Sequence, residues 1–171
     1  MVRTFANNPF GKCLSCEVDP STRSIRILVV EGEPLLAQRL AALHDEYSDL
    51  EVVGTAATAA AAVAIASAVR PRVALIDRRL PDSCSFELCR SLRRQVSIAR
   101  VIIVSTHASD EIVLGAVLAG ACGLISRIAS DQDLVEAILR AADGEFLFPR
   151  SLALRLFQSQ RSFRRRRSDR R

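Results

Sequence analysis

The chain switches repeatedly between short apolar runs and stretches with helical spacing. Residues 25–30 read Ile-Arg-Ile-Leu-Val-Val, a β-branched run suited to a strand covered on both faces. Glu31-Gly32-Glu33-Pro34 interrupts it, and proline fits the first turn of a helix. Leu35, Leu36, Leu40 and Leu43 then recur at the spacing of one helical face. Residues 50–53 predict a second strand, ended by Gly54. Residues 56–69 predict an alanine-rich helix with Val63, Ile65 and Val69 as its larger side chains, stopped by Arg70-Pro71.

The alternation continues. Val73-Ala74-Leu75-Ile76 predicts a third strand with Asp77 at its C-terminal end. Phe86, Leu88, Cys89 and Leu92 mark a helix, and Val101-Ile102-Ile103-Val104 a fourth strand ending at Ser105-Thr106. Residues 112–119 predict a helix closed by Gly120. Residues 122–125 predict a fifth strand, and Leu134, Ile138 and Leu139 line a helix ended by Gly144. A sixth helix is expected over residues 149–158, where Leu152, Leu154, Leu156 and Phe157 supply apolar surface.

Five strand–helix alternations imply an α/β fold: a doubly wound, five-stranded parallel sheet with helices on both faces. In such sheets the working groups lie just beyond the C-terminal strand ends. That rule singles out Glu31, Gly32, Asp77, Ser105 and the residues after Ile125.

Length and charge refine the picture. A chain of 171 residues is about one domain's worth. No run approaches the ~20 apolar residues that cross a bilayer, and residues 1–24 lack a signal-peptide layout, so a cytoplasmic protein is expected. The net charge is +5. Residues 25–150 carry 13 arginines against 16 acids, whereas residues 151–171 carry 8 arginines and only Asp169. The basic character therefore belongs to the C-terminal stretch.

The aperiodic residues 1–24 are expected to form a disordered leader, and the arginine-rich residues 161–171 a disordered tail. Between them lie a domain over residues 25–145 and a helix or linker over residues 146–160. Of five cysteines, Cys13 and Cys16 have zinc or redox spacing but no second ligand pair, and read as reduced thiols. His44 and His107 read as structural or solvated side chains. No Ser–His–Asp or metalloprotease spacing supports a hydrolase.

The strand-end residues carry a resemblance. The segments 27–34 (Ile-Leu-Val-Val-Glu-Gly-Glu-Pro), 73–81 (Val-Ala-Leu-Ile-Asp-Arg-Arg-Leu-Pro), 101–105, 119–123 and 144–149 resemble a receiver domain of two-component response regulators. The wording is closest to the branch that carries a LuxR-type helix-turn-helix, and the resemblance covers residues 25–156. It implies a flavodoxin-like fold in which Asp77 accepts a phosphoryl group from a histidine kinase or phosphotransferase.

The resemblance also assigns the neighbours. The pair after the first strand helps to hold Mg²⁺, giving Glu31 and Asp77 as ligands, but the second acid is replaced by Gly32. Ser105 matches the hydroxyl that contacts the phosphoryl oxygens, and Arg127 stands where a lysine is usual. Leu124 replaces the switch aromatic, and Ser85 replaces a loop glycine. Loss of a charged ligand weakens Mg²⁺ binding. Asp77 is therefore expected to be a slow phosphoacceptor at best, or the domain to work without phosphorylation.

Output would then pass through contacts with another signalling protein or a second copy, over residues 112–118, 123–125 and 134–140. A stand-alone receiver is the leading expectation. The alternative is a transcriptional regulator that meets DNA through a LuxR-type effector, or non-specifically through Arg164, Arg165, Arg166 and Arg167.

Overall fold

The computed structural model describes residues 24–96 and 100–148. The expected leader, Cys13 and Cys16, the helix over residues 149–158 and Arg164 to Arg167 lie outside the described residues. Ten elements alternate along the chain: β1 Ile25–Val30, α1 Leu35–Ala42, β2 Leu50–Ala56, α2 Ala59–Val69, β3 Val73–Asp77, α3 Ser85–Gln95, β4 Arg100–Ser105, α4 Asp110–Ala119, β5 Gly123–Ser126 and α5 Asp131–Ala142. The strands form one sheet in the order β2-β1-β3-β4-β5, every pair parallel. This is the doubly wound parallel sheet that the alternation predicts, and the flavodoxin-like fold that the resemblance implies.

Two apolar layers sandwich the sheet. On one face Leu28, Val30, Ile76 and Ile103 meet Ala62, Leu88, Leu92 and Ala116 of α2, α3 and α4. On the other Ile27, Val29, Leu75 and Ile102 meet Leu40, Leu134 and Ile138 of α1 and α5. Successive strand residues point to opposite faces. The central strands are therefore apolar throughout, and β3 is buried at every residue.

Several boundaries depart from expectation for local reasons. β2 runs through Gly54 to Ala56, with a register shift opposite Ile27 and Leu28. Gly54 marks a close approach, since a Cβ there would lie 2.6 Å from Ile65 Cγ2 of α2. The following helix starts at Ala59, not at Ala56, because Thr58 caps it by accepting from the Ala61 amide at 3.3 Å. Pro34 sits at the cap position, one residue before α1. β5 begins at Gly123, one residue later than expected. α4 begins at Asp110, two residues before its expected start, with Ser109 as its cap.

Leu35 and Leu139 do not join the core; they are 56% and 39% exposed. His44 lies beyond the end of α1, with Nδ1 3.1 Å from the Leu50 carbonyl. After α5, Gly144 takes φ +90°, a conformation glycine adopts without a Cβ penalty. The chain then passes β5: the Leu147 amide donates to Cys122 O at 2.7 Å, and Phe148 is buried. Among the described residues, no helix is long and apolar enough to cross a membrane.

Candidate phosphoryl-binding cleft

Parallel strands bring their C-terminal ends to one rim, and there the chain places its polar interior groups. Glu31, Asp77 and Ser105 are buried there. Asp77 ends β3 opposite Val104, and Ser105 ends β4 opposite Ser126 of β5. Backbone bonds carry the rim one residue further: Arg78 N donates to Val104 O at 2.8 Å and Arg127 N to Ser105 O at 2.9 Å. The structure thus brings Asp77, Ser105 and Arg127, three residues far apart in sequence, to a single cleft of about 500 Å³.

Both Asp77 oxygens are engaged. Oδ2 receives the Arg127 guanidinium in an ion pair, and Oδ1 accepts from the Arg79 amide at 3.1 Å. Ser105 Oγ faces the next loop instead: it donates to His107 O at 2.7 Å and accepts from the His107 amide at 3.2 Å. His107 itself is exposed, its Nδ1 2.8 Å from Thr106 Oγ1.

Glu31 turns away from the cleft. Its two oxygens accept from the amides of Leu36 at 2.9 Å and Ala37 at 2.8 Å. It therefore satisfies two donors that the first turn of α1 leaves without helical partners. Gly32 contributes no side-chain oxygen, and nothing lies within 4 Å of where its Cβ would be. Among the described residues, no group of three or more His, Cys, Asp or Glu side chains could hold a metal ion. Mg²⁺ demands near-octahedral oxygen coordination. The side chains do not present the set that ion needs: Asp77 is paired with a guanidinium, Glu31 is committed to a helix, position 32 offers no side-chain oxygen, and of the acids only Glu33 lines the cleft beside Asp77.

Sequence reasoning gave no role to several residues that shape the cleft. Arg78 and Arg79 line it with Arg127, so three arginines and the acids Asp77 and Glu33 share one cleft. The guanidinium carbon of Arg78 lies 5.4 Å from the Phe86 ring centroid, within cation–π range. Asp82 ties the β3–α3 loop to α2, both oxygens accepting from the Ala59 amide at 3.0 and 2.9 Å. Arg39 of α1 pairs with Asp131 and donates to Ala129 O at 2.6 Å, fixing the loop after Arg127. The Arg78-Arg79 pair after a strand-end acid was a visible signal. The Asp82 and Arg39 contacts span 23 and 90 residues or more, and no local pattern announces them. Ser85 is fully buried with an unpartnered Oγ, and Leu124 is half-buried.

A buried aspartate at the centre of such a rim, flanked by a hydroxyl and a cation, defines a receiver-type signalling module. A family model for the response regulator receiver domain matches residues 27–139, and the chain belongs to that family, whose members are signalling proteins of two-component systems. Receiver domains generally bind Mg²⁺ at the phosphorylation site and interact with histidine kinases or phosphotransferases.

The chain is 33% identical over 137 residues to the DNA-binding transcriptional activator DevR/DosR of Mycobacterium tuberculosis, covering 80% of this chain and 63% of that protein. It is 32% identical over 124 residues to the transcriptional regulatory protein MctR of Rhizobium johnstonii, covering 72% and 58%. The chain thus spans less than two thirds of the length of these relatives. Among solved structures it is similar to the receiver domain of a NarL-type regulator from Mycobacterium tuberculosis, with TM-score 0.67 and 28% identity over 72% of this chain and 99% of that one. A LuxR-family response regulator from Aurantimonas gives TM-score 0.69 and 25% identity over 80% and 98%.

Proposed function

We propose that this chain receives signals from a histidine kinase or phosphotransferase through Asp77, and that Asp77 is a slow phosphoacceptor with weakened Mg²⁺ dependence. The observation that carries this reading is the Asp77–Arg127 ion pair beside a glycine at position 32. In the transfer, an Asp77 oxygen bonds to phosphorus as the nitrogen–phosphorus bond of the donor phosphohistidine breaks, and the departing imidazole takes up a proton. Charge on the moving phosphoryl oxygens needs a cationic partner. Arg127 supplies one such charge, but the same guanidinium covers the nucleophile. Ser105 has to leave His107 to reach the new group. Leu124 has no ring to follow that movement, which blunts the coupling to the surface formed by α4, β5 and α5. Output passes through protein contacts on that surface, where Leu118 is 57% exposed.

Intact-mass measurement after incubation with acetyl phosphate, with Mg²⁺ or with EDTA, tests the reading. Substoichiometric modification is expected, rising about tenfold or more in rate in Gly32→Asp with Mg²⁺. Rapid, complete, Mg²⁺-dependent modification of wild-type Asp77 would overturn it. A second reading, a receiver serving DNA binding, draws on the described activity of the DevR/DosR relative. A gel shift at low and moderate salt separates the two: sequence-selective retention at moderate salt favours DNA binding.

A further inference from the structure

We propose that the cleft over Asp77 binds a phosphate-class oxyanion without any divalent cation, with Arg127, Arg78 and Arg79 as its donors. The inference rests on the reading of Asp77 as a slow acceptor and states what the same cleft holds in place of a metal-bound phosphoryl group.

Three observations support it. First, the donor set has changed sign. Glycine at position 32 removes a carboxylate that would repel an anion and leaves open space there, while three arginines line the cleft. Second, those guanidiniums keep donors in reserve. A guanidinium carries five N–H groups in a fixed fork, and Arg127 uses one terminal nitrogen on Asp77. Arg78 Nε is buried without a hydrogen-bond partner, and Phe86 orients the Arg78 guanidinium from one side. Third, Ser105 and Thr106 line the cleft, and their hydroxyls, now engaged with His107 O and His107 Nδ1, can donate to further anion oxygens once they leave those partners.

Arginine suits this task because its fork matches phosphate geometry and its charge does not titrate. Asp77 and Glu33 oppose the anion. They keep the affinity modest and make it sensitive to neutral replacements at either position.

The test is a titration of the isotope-labelled full chain with inorganic phosphate, followed by backbone amide NMR at constant ionic strength. Saturable shifts are expected at Gly32, Arg79 and Thr106, with midpoints that agree within about twofold in Mg²⁺ and in EDTA. Arg127→Ala should raise the midpoint about tenfold, Arg127→Lys less, and Asp77→Asn should lower it by about threefold or more. The Asp77→Asn arm cannot be phosphorylated at position 77, so it isolates anion binding from phosphoryl transfer. Non-saturable shifts, an unchanged midpoint in Arg127→Ala, or about tenfold tightening by Mg²⁺ would overturn the proposal. The acetyl phosphate rates leave this outcome untouched and decide the slow-acceptor reading separately. Amides of residues 161–171 report any binding there independently of the cleft.

Discussion

Two buried carboxylates stand at neighbouring strand ends, Glu31 after β1 and Asp77 at the end of β3, only 6% and 7% exposed. Their charges are satisfied in different ways. Glu31 is held by main-chain amides of α1, which belong to the fold and cannot leave without unwinding a helix turn. Asp77 shares one oxygen with an amide but gives the other to the Arg127 side chain, which is one-third exposed. A side chain has rotamers and can be drawn away by a competing anion. One carboxylate has become a structural cap, and its neighbour has stayed exchangeable.

Substitutions at each site break this comparison in order of expected size. Glu31→Ala strips two amides of their charged acceptor and should destabilise the fold by about 3 kcal/mol in urea unfolding. An effect as small as that of a surface change would show that α1 does not depend on the carboxylate.

A buried group kept neutral sharpens the contrast. Burial pushes the Cys89 thiol from 9.0 up to about 11. The unfolded chain therefore releases this proton about two pH units before the folded one does. The stabilisation is full below pH 9 and is lost as pH rises towards 11, by at most about 1.4 kcal/mol per pH unit. Unfolding curves at successive pH values read that slope, and Cys89→Ala should reduce it, leaving the part that the Cys122 thiol, also raised by burial, contributes.

Arg127→Ala should cost less than Glu31→Ala, about 1–2 kcal/mol, because the pair is partly open to water. The loss should shrink in an Asp77→Asn background, which a double-mutant cycle measures. The smallest effect belongs to Asp82→Ala. It should cost about 1 kcal/mol through loss of the Ala59 amide bonds, and thermal unfolding reads it.

The strands were legible where burial made them continuous. β1, β3 and β4 are β-branched runs, and parallel topology follows from their alternation with helices. β2 was harder, because Gly54 reads as a breaker until the packing of Ile65 against it is known. Leu35 and Leu139 have helical spacing but lie at the margins of their faces, where periodicity cannot say how far the core extends. In the cleft, Asp77 and Ser105 could be placed from strand ends alone, since a parallel sheet collects those ends at one rim, whereas Arg127 was singled out among the residues after Ile125 by the family resemblance. Glu31 could be placed there too, but not the direction of its side chain. Two α1 amides decide that direction, and their pull depends on where the helix begins. The stacking of Arg78 on Phe86 likewise needs the folded β3–α3 loop.

The way the chain leaves α5 has a mechanical consequence. Leu147 fills the space beside Gly123, where an added Cβ would lie 2.9 Å from its Cδ1, and Phe148 is sealed into the layer beneath α2, α3 and α4. The last strand and the outgoing backbone are therefore wedged together like a peg in its socket. Since Arg127 directly follows that strand, the guanidinium that pairs with Asp77 and the packed Leu147 are anchored to opposite ends of the same four-residue strand.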